Sequence, residues 1–300
     1  MRNESVFFAR HPNPYKFSGT PSARRLKMVN ELLKLVEGKK VKAYDLTQLL
    51  GIHTHFWPYY PPFEMKYFKR KSEHGVNAQY IQSSWHIGTH LDAPRHFQTK
   101  GKTIDQLPLE WTFGPGVIVN LSKEMDDLAV YTPKMIEERA DVHEGDILIL
   151  HTGWHKYAAY GPEADEERYI LRHPGAHPDM VDWLIKKKIH IWGVDAVSTD
   201  HPMDLPIGRF LGKGTFGQCE RVRALCEKKF GKAQVDKLFP VEDYQLTHNK
   251  LFPHDCIHLE NLGGEISKPE LQNKRVVIAC SPIKIEGAES AWTRVLALLG

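Results

Sequence analysis

Trp85-His86-Ile87-Gly88-Thr89-His90-Leu91-Asp92-Ala93-Pro94-Arg95-His96-Phe97 holds three imidazoles and one carboxylate within the eleven residues from 86 to 96. Imidazole and carboxylate are the usual ligands for zinc, manganese and iron in catalytic centres. All four groups stand at even-numbered positions. An extended strand would present them on one face, with Gly88 leaving space between them. A straight strand is nevertheless too long, because it sets the Cα atoms of His86 and His90 roughly 13 Å apart. A helix would bring them together, but Gly88, Thr89 and Pro94 oppose one. The stretch therefore reads as a bent strand, or a turn at Gly88-Thr89, that folds His86 back toward His90. A lone histidine would read as an ordinary core or surface residue. This spacing around a Gly-Thr turn reads as a metal-binding motif.

One such segment rarely completes a site. The second candidate source is His248-Asn249-Lys250-Leu251-Phe252-Pro253-His254-Asp255-Cys256-Ile257-His258-Leu259-Glu260-Asn261-Leu262-Gly263-Gly264. Glu260 stands there among apolar Ile257, Leu259 and Leu262, and a carboxylate held in such surroundings needs a partner. A metal ion and a nearby Lys or Arg both satisfy that need, and the residues themselves leave the choice open.

Outward from these segments, short apolar runs bounded by turn residues predict strands over 41–47, 77–84, 116–121, 146–151, 189–197, 256–259, 276–280 and 293–299. The 77–84 strand is expected to lead into the histidine motif. Helical spacing of Leu26, Val29, Leu33 and Val36, closed by Gly38, predicts a helix after a proline-bearing arm. Met180, Trp183, Leu184 and Lys187 predict another over 178–188, and 247–254 a short third. Strands dominate and helices are interspersed. We therefore expect one mixed α/β domain over 41–300, preceded by an arm and helix over 1–40. The proline-rich loop Phe56-Trp57-Pro58-Tyr59-Tyr60-Pro61-Pro62-Phe63 cannot be helical, and either lines a pocket or packs on the core.

Forty basic residues against 37 acidic ones are near balance and scattered, so no nucleic-acid partner is expected. No apolar run reaches membrane-spanning length and the N-terminus does not read as a signal peptide. Cys219, Cys226, Cys256 and Cys280 fit no CxxC pair, which suggests reduced thiols and a cytoplasmic protein. Gly212-x-Gly214-x-x-Gly217 formally matches a dinucleotide fingerprint. Without a preceding strand or a surrounding βαβ unit it reads as a lid or tight turn.

The pattern HxGTHxDxPxHF, carried whole as His86, Gly88, Thr89, His90, Asp92, Pro94, His96 and Phe97, resembles the signature of the cyclase family of metal-dependent hydrolases. That family includes bacterial kynurenine formamidase and isatin hydrolase. Asp45-Leu46-Thr47 with Trp57-Pro58 is similar to the family's opening. Gly145-Asp146, Thr152-Gly153-Trp154 and His173-Pro174-Gly175 are similar to its middle. Gly193-Val194-Asp195 with Ser198 and Asp200 follows in the same order, and His248 with Glu260-Asn261-Leu262 resembles the distal metal-binding segment. The resemblance implies a swivelling β/β/α fold and a dimer or higher oligomer, a homodimer or homotetramer. It implies one or two ions of Zn2+ or Mn2+. His86, His90 and Asp92 would hold the first ion. Asp92 would bridge to a second, held also by His248 and Glu260. His96 would be the general acid–base. The extra N-terminal stretch and a longer 201–247 segment set this chain apart from smaller members and place its substrate in question.

The expected reaction is hydrolysis of an amide-type C–N bond in a small molecule by metal-activated water. An aryl formamide, a lactam or a related cyclic amide fits, since Trp57 and Tyr59 in the aromatic loop, with Phe97 beside His96, could stack on a flat ring. A lactone or cyclic ester would use the same water, and a dehydrating cyclase or lyase could use the same scaffold. A purely structural metal is disfavoured, because structural zinc sites are closed and cysteine-rich.

Overall fold

The computed structural model describes residues 37–38, 40–209 and 218–300, with backbone only at 218–219. The expected helix over 26–36 and the glycine-rich 212–217 stretch lie outside the described residues. The strands, in chain order, are β1 (Lys42–Asp45), β2 (Glu64–Lys69), β3 (Ala78–Gln82), β4 (His90–Asp92), β5 (Phe113–Asn120), β6 (Val130–Tyr131), β7 (Ile147–His151), β8 (Gly175–Ala176), β9 (Ile191–Val194), β10 (Ile257–Glu260), β11 (Lys274–Pro282) and β12 (Ser290–Leu299).

Eight of them form one sheet in the order β1-β12-β11-β5-β7-β9-β10-β4. β12 pairs again with β4 through Ser290↔Asp92 and Trp292↔His90, so the strands from β12 round to β4 close into a barrel. The β5, β7, β9 and β10 neighbours run parallel, and the remaining ladders are antiparallel. Parallel pairs need crossovers, and the helix Asp179–Lys186 lies in the one from β7 to β9.

Strand alternation assigns the faces. Ile118, Ile147, Ile149, Ile191, Ile257, Leu259, Ile278, Val295 and Leu91 share one buried cluster to which every barrel strand contributes. Val117, Val119, Leu148, Leu150, Trp192 and Val194 point the other way, onto Met180, Val181 and Leu184 of the helix. Burial on both faces explains the unbroken apolar run Ile147-Leu148-Ile149-Leu150. The same alternation turns His90 and Asp92 of β4 outward, and likewise His258 and Glu260 of β10. The register Leu259↔Leu91 and Glu260↔His90 then sets the two polar pairs side by side.

Two expectations need correction. The strand expected over 77–84 is present as β3, but it pairs only with β2 in a separate two-stranded ribbon and does not lead the motif into the main sheet. Neither strand offers an apolar face to the core, and nearly every residue of the ribbon is exposed. Segment 201–247, for which no helix was expected, carries helices Gln218–Phe230 and Lys232–Leu238, which send Val222, Cys226 and Val235 into the helix-side core. Cys226, Cys256 and Cys280 are free and buried. No helix among the described residues is long and apolar enough to cross a membrane.

Candidate active site

Gly88 holds φ +61°, a left-handed conformation that costs glycine little. A Cβ at that position would also press on Leu50 at 3.1 Å. The turn reverses the chain, so His86 Nδ1 lies 3.3 Å from His90 Nε2. The bend expected at Gly88-Thr89 is therefore how the motif closes.

Backbone and carboxylate acceptors set the imidazole tautomers. His90 Nδ1 donates to the Gly88 carbonyl at 2.9 Å, leaving Nε2 bare. His248 Nδ1 donates to Asp200 Oδ2 at 2.7 Å, and the Thr247 N–H donates to Asp200 Oδ1 at 2.6 Å. His86 Nε2 donates to Glu289 Oε2 at 2.9 Å and turns Nδ1 toward Asp92 Oδ1 at 3.2 Å. His258 rests its Nδ1 on Thr199 Oγ1 at 3.2 Å. Its Nε2 is 3.2 Å from His248 Nε2 and 3.5 Å from Asp92 Oδ2. Glu260 Oε1 accepts from Ser198 Oγ at 2.9 Å and from the Thr199 N–H at 3.1 Å, while its Oε2 faces His90 Nε2 at 3.6 Å. Each imidazole thus has one nitrogen anchored and the other aimed at a common centre, the carboxylate–histidine arrangement that orients metal ligands.

Asp92 stands at that centre. It is fully buried, and neither of its oxygens has a hydrogen-bond donor. A buried carboxylate without donors needs a cation. Ligands at about 2.1 Å from a shared ion in a tetrahedral array lie about 3.4 Å apart. The spacings of 3.2 to 3.6 Å among His86, His90, His258, Asp92 and Glu260 match that figure. Asp92, His248, His258 and Glu260 form one group able to hold a metal, and His86, Asp92 and His96 another. The residues therefore fit a divalent ion, with one Asp92 oxygen toward each group. A third His-Asp group, His151, His155 and Asp195, differs in kind. There Asp195 accepts from Thr152 N, Thr152 Oγ1 and His155 Nδ1, so its carboxylate is already satisfied from within the protein.

The electrostatics follow from burial and mutual charge. Burial pushes the Asp92 carboxyl upward, but His86, His90 and His96 outweigh it and hold it well below the ordinary carboxylate range. Burial pushes Glu260 up to about 8, helped by the Asp92 charge and opposed by His248. His90 and His258 are each pushed down to about 4 by burial, which keeps them neutral and able to ligate. Burial also works against a charged His86, yet Asp92 and Glu289 raise it to about 10. A cation in the cluster would take the place of that extra proton.

A pocket opens onto these groups. Trp57, Tyr60, Val197 and Leu205 form its apolar wall, and His96 and Gln245 stand on its polar side. Gln245 holds φ +47° at the start of the helix Leu246–Leu251 that carries His248.

Of the residues predicted from the sequence, the structure brings together His86, His90, Asp92, His96, His248 and Glu260, and it places Trp57 on the cavity wall. Tyr59 and Phe97 are corrected. Tyr59 sits at φ 79° in a turn closed by Tyr60 N–H to the Trp57 carbonyl, which leaves it 49% exposed, and Tyr60 lines the cavity in its stead. Phe97 packs behind the site, its ring 4.6 Å from that of His248 and 5.9 Å from that of Phe252. Sequence reasoning gave no role to His258 or Glu289. His258 was legible, since it lies two residues before Glu260 and strand alternation puts both on one face.

Residues 44–201, more than half of the chain, match the Cyclase family model. The chain belongs to the cyclase family. This cyclase-family protein is 27% identical to the isatin hydrolase of Roseibium aggregatum over 289 residues, covering 89% of this chain and 94% of that one. It is 32% identical to the kynurenine formamidase of Geobacillus thermodenitrificans over 162 residues, covering 52% of this chain and 69% of that one. A crystal structure of an isatin hydrolase bound to the product analogue thioisatinate superposes with a TM-score of 0.64 at 23% identity, over 93% of this chain and 99% of that one. The fold is thus shared with that structure well beyond the matched segment.

Proposed function

We propose that this chain is a metal-dependent hydrolase that opens an amide-type C–N bond in a small molecule carrying a flat ring, either an aryl formamide or a cyclic amide. The observation that carries the reading is Asp92, a fully buried carboxylate with no donor on either oxygen, ringed by bare imidazole nitrogens. The names of the relatives supply the bond, since one is a formamidase and another acts on isatin.

His86 and Asp92, with His90 Nε2 3.4 Å from Asp92 Oδ1, would hold one ion of zinc or manganese and leave His96 beside it as the base, and Asp92, His248, His258 and Glu260 would hold a second. A bound divalent ion polarises a carbonyl and makes water acidic enough to give up a proton near neutrality. The chain's own residues do the rest. Trp57 and Tyr60 stack against the ring and orient the scissile bond beside the cluster. His96, on the polar side of the cavity, takes a proton as the water oxygen bonds to the carbonyl carbon. The C–N bond then breaks, and His96 returns the proton to the leaving nitrogen.

The proposal extends to assembly and place. The ribbon of β2 and β3 leaves Met65, Tyr67, Phe68, Tyr80 and Ile81 in solvent, which supports a homodimer or homotetramer, testable by light scattering. Free thiols support a cytoplasmic setting.

The test of function is turnover by the zinc- and manganese-loaded full chain on N-formylkynurenine, isatin and a lactone of similar size, with products weighed by mass spectrometry. Net addition of water to an amide is the expected result. Lactone-only turnover, or products lacking added water, would overturn the reading.

A further inference from the structure

Glu289 lies just before β12, outside every motif, and its backbone carbonyl accepts the Ala93 N–H at 2.8 Å. That pairing extends the β4–β12 ladder by one residue and fixes Glu289 opposite the end of the histidine motif. Its side chain then reaches two of the motif's imidazoles with one atom. Oε2 lies 2.9 Å from His86 Nε2 and 2.8 Å from His96 Nδ1. Oε1 accepts from Ser290 Oγ at 3.2 Å, which steadies the carboxylate. The two imidazoles are themselves nearly stacked, with ring centroids 4.2 Å apart and planes 32° from parallel.

We propose that Glu289 is the positioning residue of the acid–base histidine: it holds His96 as the Nδ1–H tautomer with Nε2 bare, and ties that ring to the place of His86. The inference rests on the acid–base role proposed above for His96. A neutral imidazole carries its proton on one nitrogen only, and whichever nitrogen donates a hydrogen bond leaves the other as the base. Glu289 accepts at Nδ1, so Nε2 is the nitrogen that can exchange protons. The shared oxygen has a second effect. His86 supplies Nδ1 to the cluster and His96 supplies Nε2 to the reaction, and a single carboxylate sets the angle of both. Metal ligand and proton carrier are thereby kept at a fixed separation without a covalent link. Glu289 touches neither the cluster's centre nor the cavity's apolar wall, so its action goes through these two rings. Its side chain is 38% accessible, so truncation opens no buried cavity.

The experiment compares wild type with Glu289→Ala, Glu289→Gln, His96→Ala and the double variant Glu289→Ala/His96→Ala, each zinc-loaded and checked by elemental mass spectrometry. The first readout is independent of turnover. In protein labelled with 15N-histidine, long-range 15N–1H spectra report the tautomer of His96, and His96→Ala identifies its signals. Wild type should show one tautomer protonated at Nδ1. Glu289→Ala should show a mixture, and Glu289→Gln, whose amide oxygen can still accept, should restore the wild-type pattern at least in part. The second readout is kinetic. Glu289→Ala should lower kcat about 10- to 100-fold with KM within about twofold. The same substitution should cost clearly less when His96 is already alanine, because the part of its effect that passes through that ring is then gone. A single unchanged His96 tautomer in Glu289→Ala would overturn the proposal, and so would an undiminished loss in the His96→Ala background. If wild type turns over no amide, the hydrolase reading fails, and the tautomer spectra still decide the role of Glu289.

Discussion

Asp200→Asn isolates one hydrogen bond of the site. Asp200 is fully buried and makes two bonds of opposite destination, accepting from His248 Nδ1 at 2.7 Å and from the Thr247 N–H at 2.6 Å. Asparagine has the same shape but only one accepting atom. If its oxygen keeps Thr247, its NH2 group faces the N–H of His248, and two donors meet. His248 must then move its proton to Nε2, the nitrogen aimed at Asp92 and Glu260, or the amide must turn and abandon Thr247. Either way one charge-assisted bond is lost, worth about 1.5–3 kcal/mol. At tenfold per 1.4 kcal/mol this weakens metal binding by about 10- to 150-fold. His248 belongs to only one of the two donor groups, so one ion should weaken and the other hold. Competition with a fluorescent zinc chelator measures both affinities, and circular dichroism checks that the fold is retained. Unchanged affinity, or equal weakening of both ions, would refute the assignment of Asp200 as the orienter of His248.

Chelation should leave the barrel folded, since its ladders need no ion. Restoring zinc at 100 times its Kd should then add about 2.7 kcal/mol, read as a rise in Tm; collapse of the circular dichroism signal on chelation would contradict this. Arg275→Ala should destabilise the protein by about 3–5 kcal/mol in denaturant titrations. Arg275 forks onto the buried carboxylate of Asp146 at 2.6 and 2.7 Å, and its loss leaves that charge only the His143 N–H at 2.7 Å. Acid should destabilise the metal-free chain between pH 6.5 and about 4. Burial pushes His173 down to about 4 and His201 down to about 3, so in that window the unfolded chain binds more protons and unfolding free energy falls as pH falls. His201→Gln should flatten that slope in unfolding curves taken at pH 7, 6 and 5, and an unchanged slope would show that His201 contributes nothing to it.

The legible parts of this site were those governed by local rules. Gly88 and Thr89 between two histidines called for a bent strand or a turn to bring them together, and a carboxylate at Glu260 among apolar neighbours called for a partner. The apolar runs at 146–151 and 116–121 read as buried strands, and β7 and β5 lie there, buried. What escaped reading depends on distant register. Nothing near Glu289 announces that its carboxylate meets His86 and His96, because that contact is made by the pairing of β12 with β4. The choice between Tyr59 and Tyr60 turned on one backbone angle in a loop whose composition suits either residue. The ribbon of β2 and β3 has mixed polar and apolar positions and no core to declare its partner, so its pairing was hidden as well.

The closing ladder between β4 and β12 has a consequence for biogenesis. It joins residues 90–92 to residues 290–292, across some two hundred positions of chain. During synthesis the histidine motif emerges some two hundred residues before the strand that flanks it and the carboxylate that grips two of its rings. Contacts so far apart in sequence form late and slowly. A half-made chain can therefore gather Asp92, His248, His258 and Glu260 through the β4–β10 ladder, but His86 and His96 gain their shared carboxylate only when the last strand closes the ring.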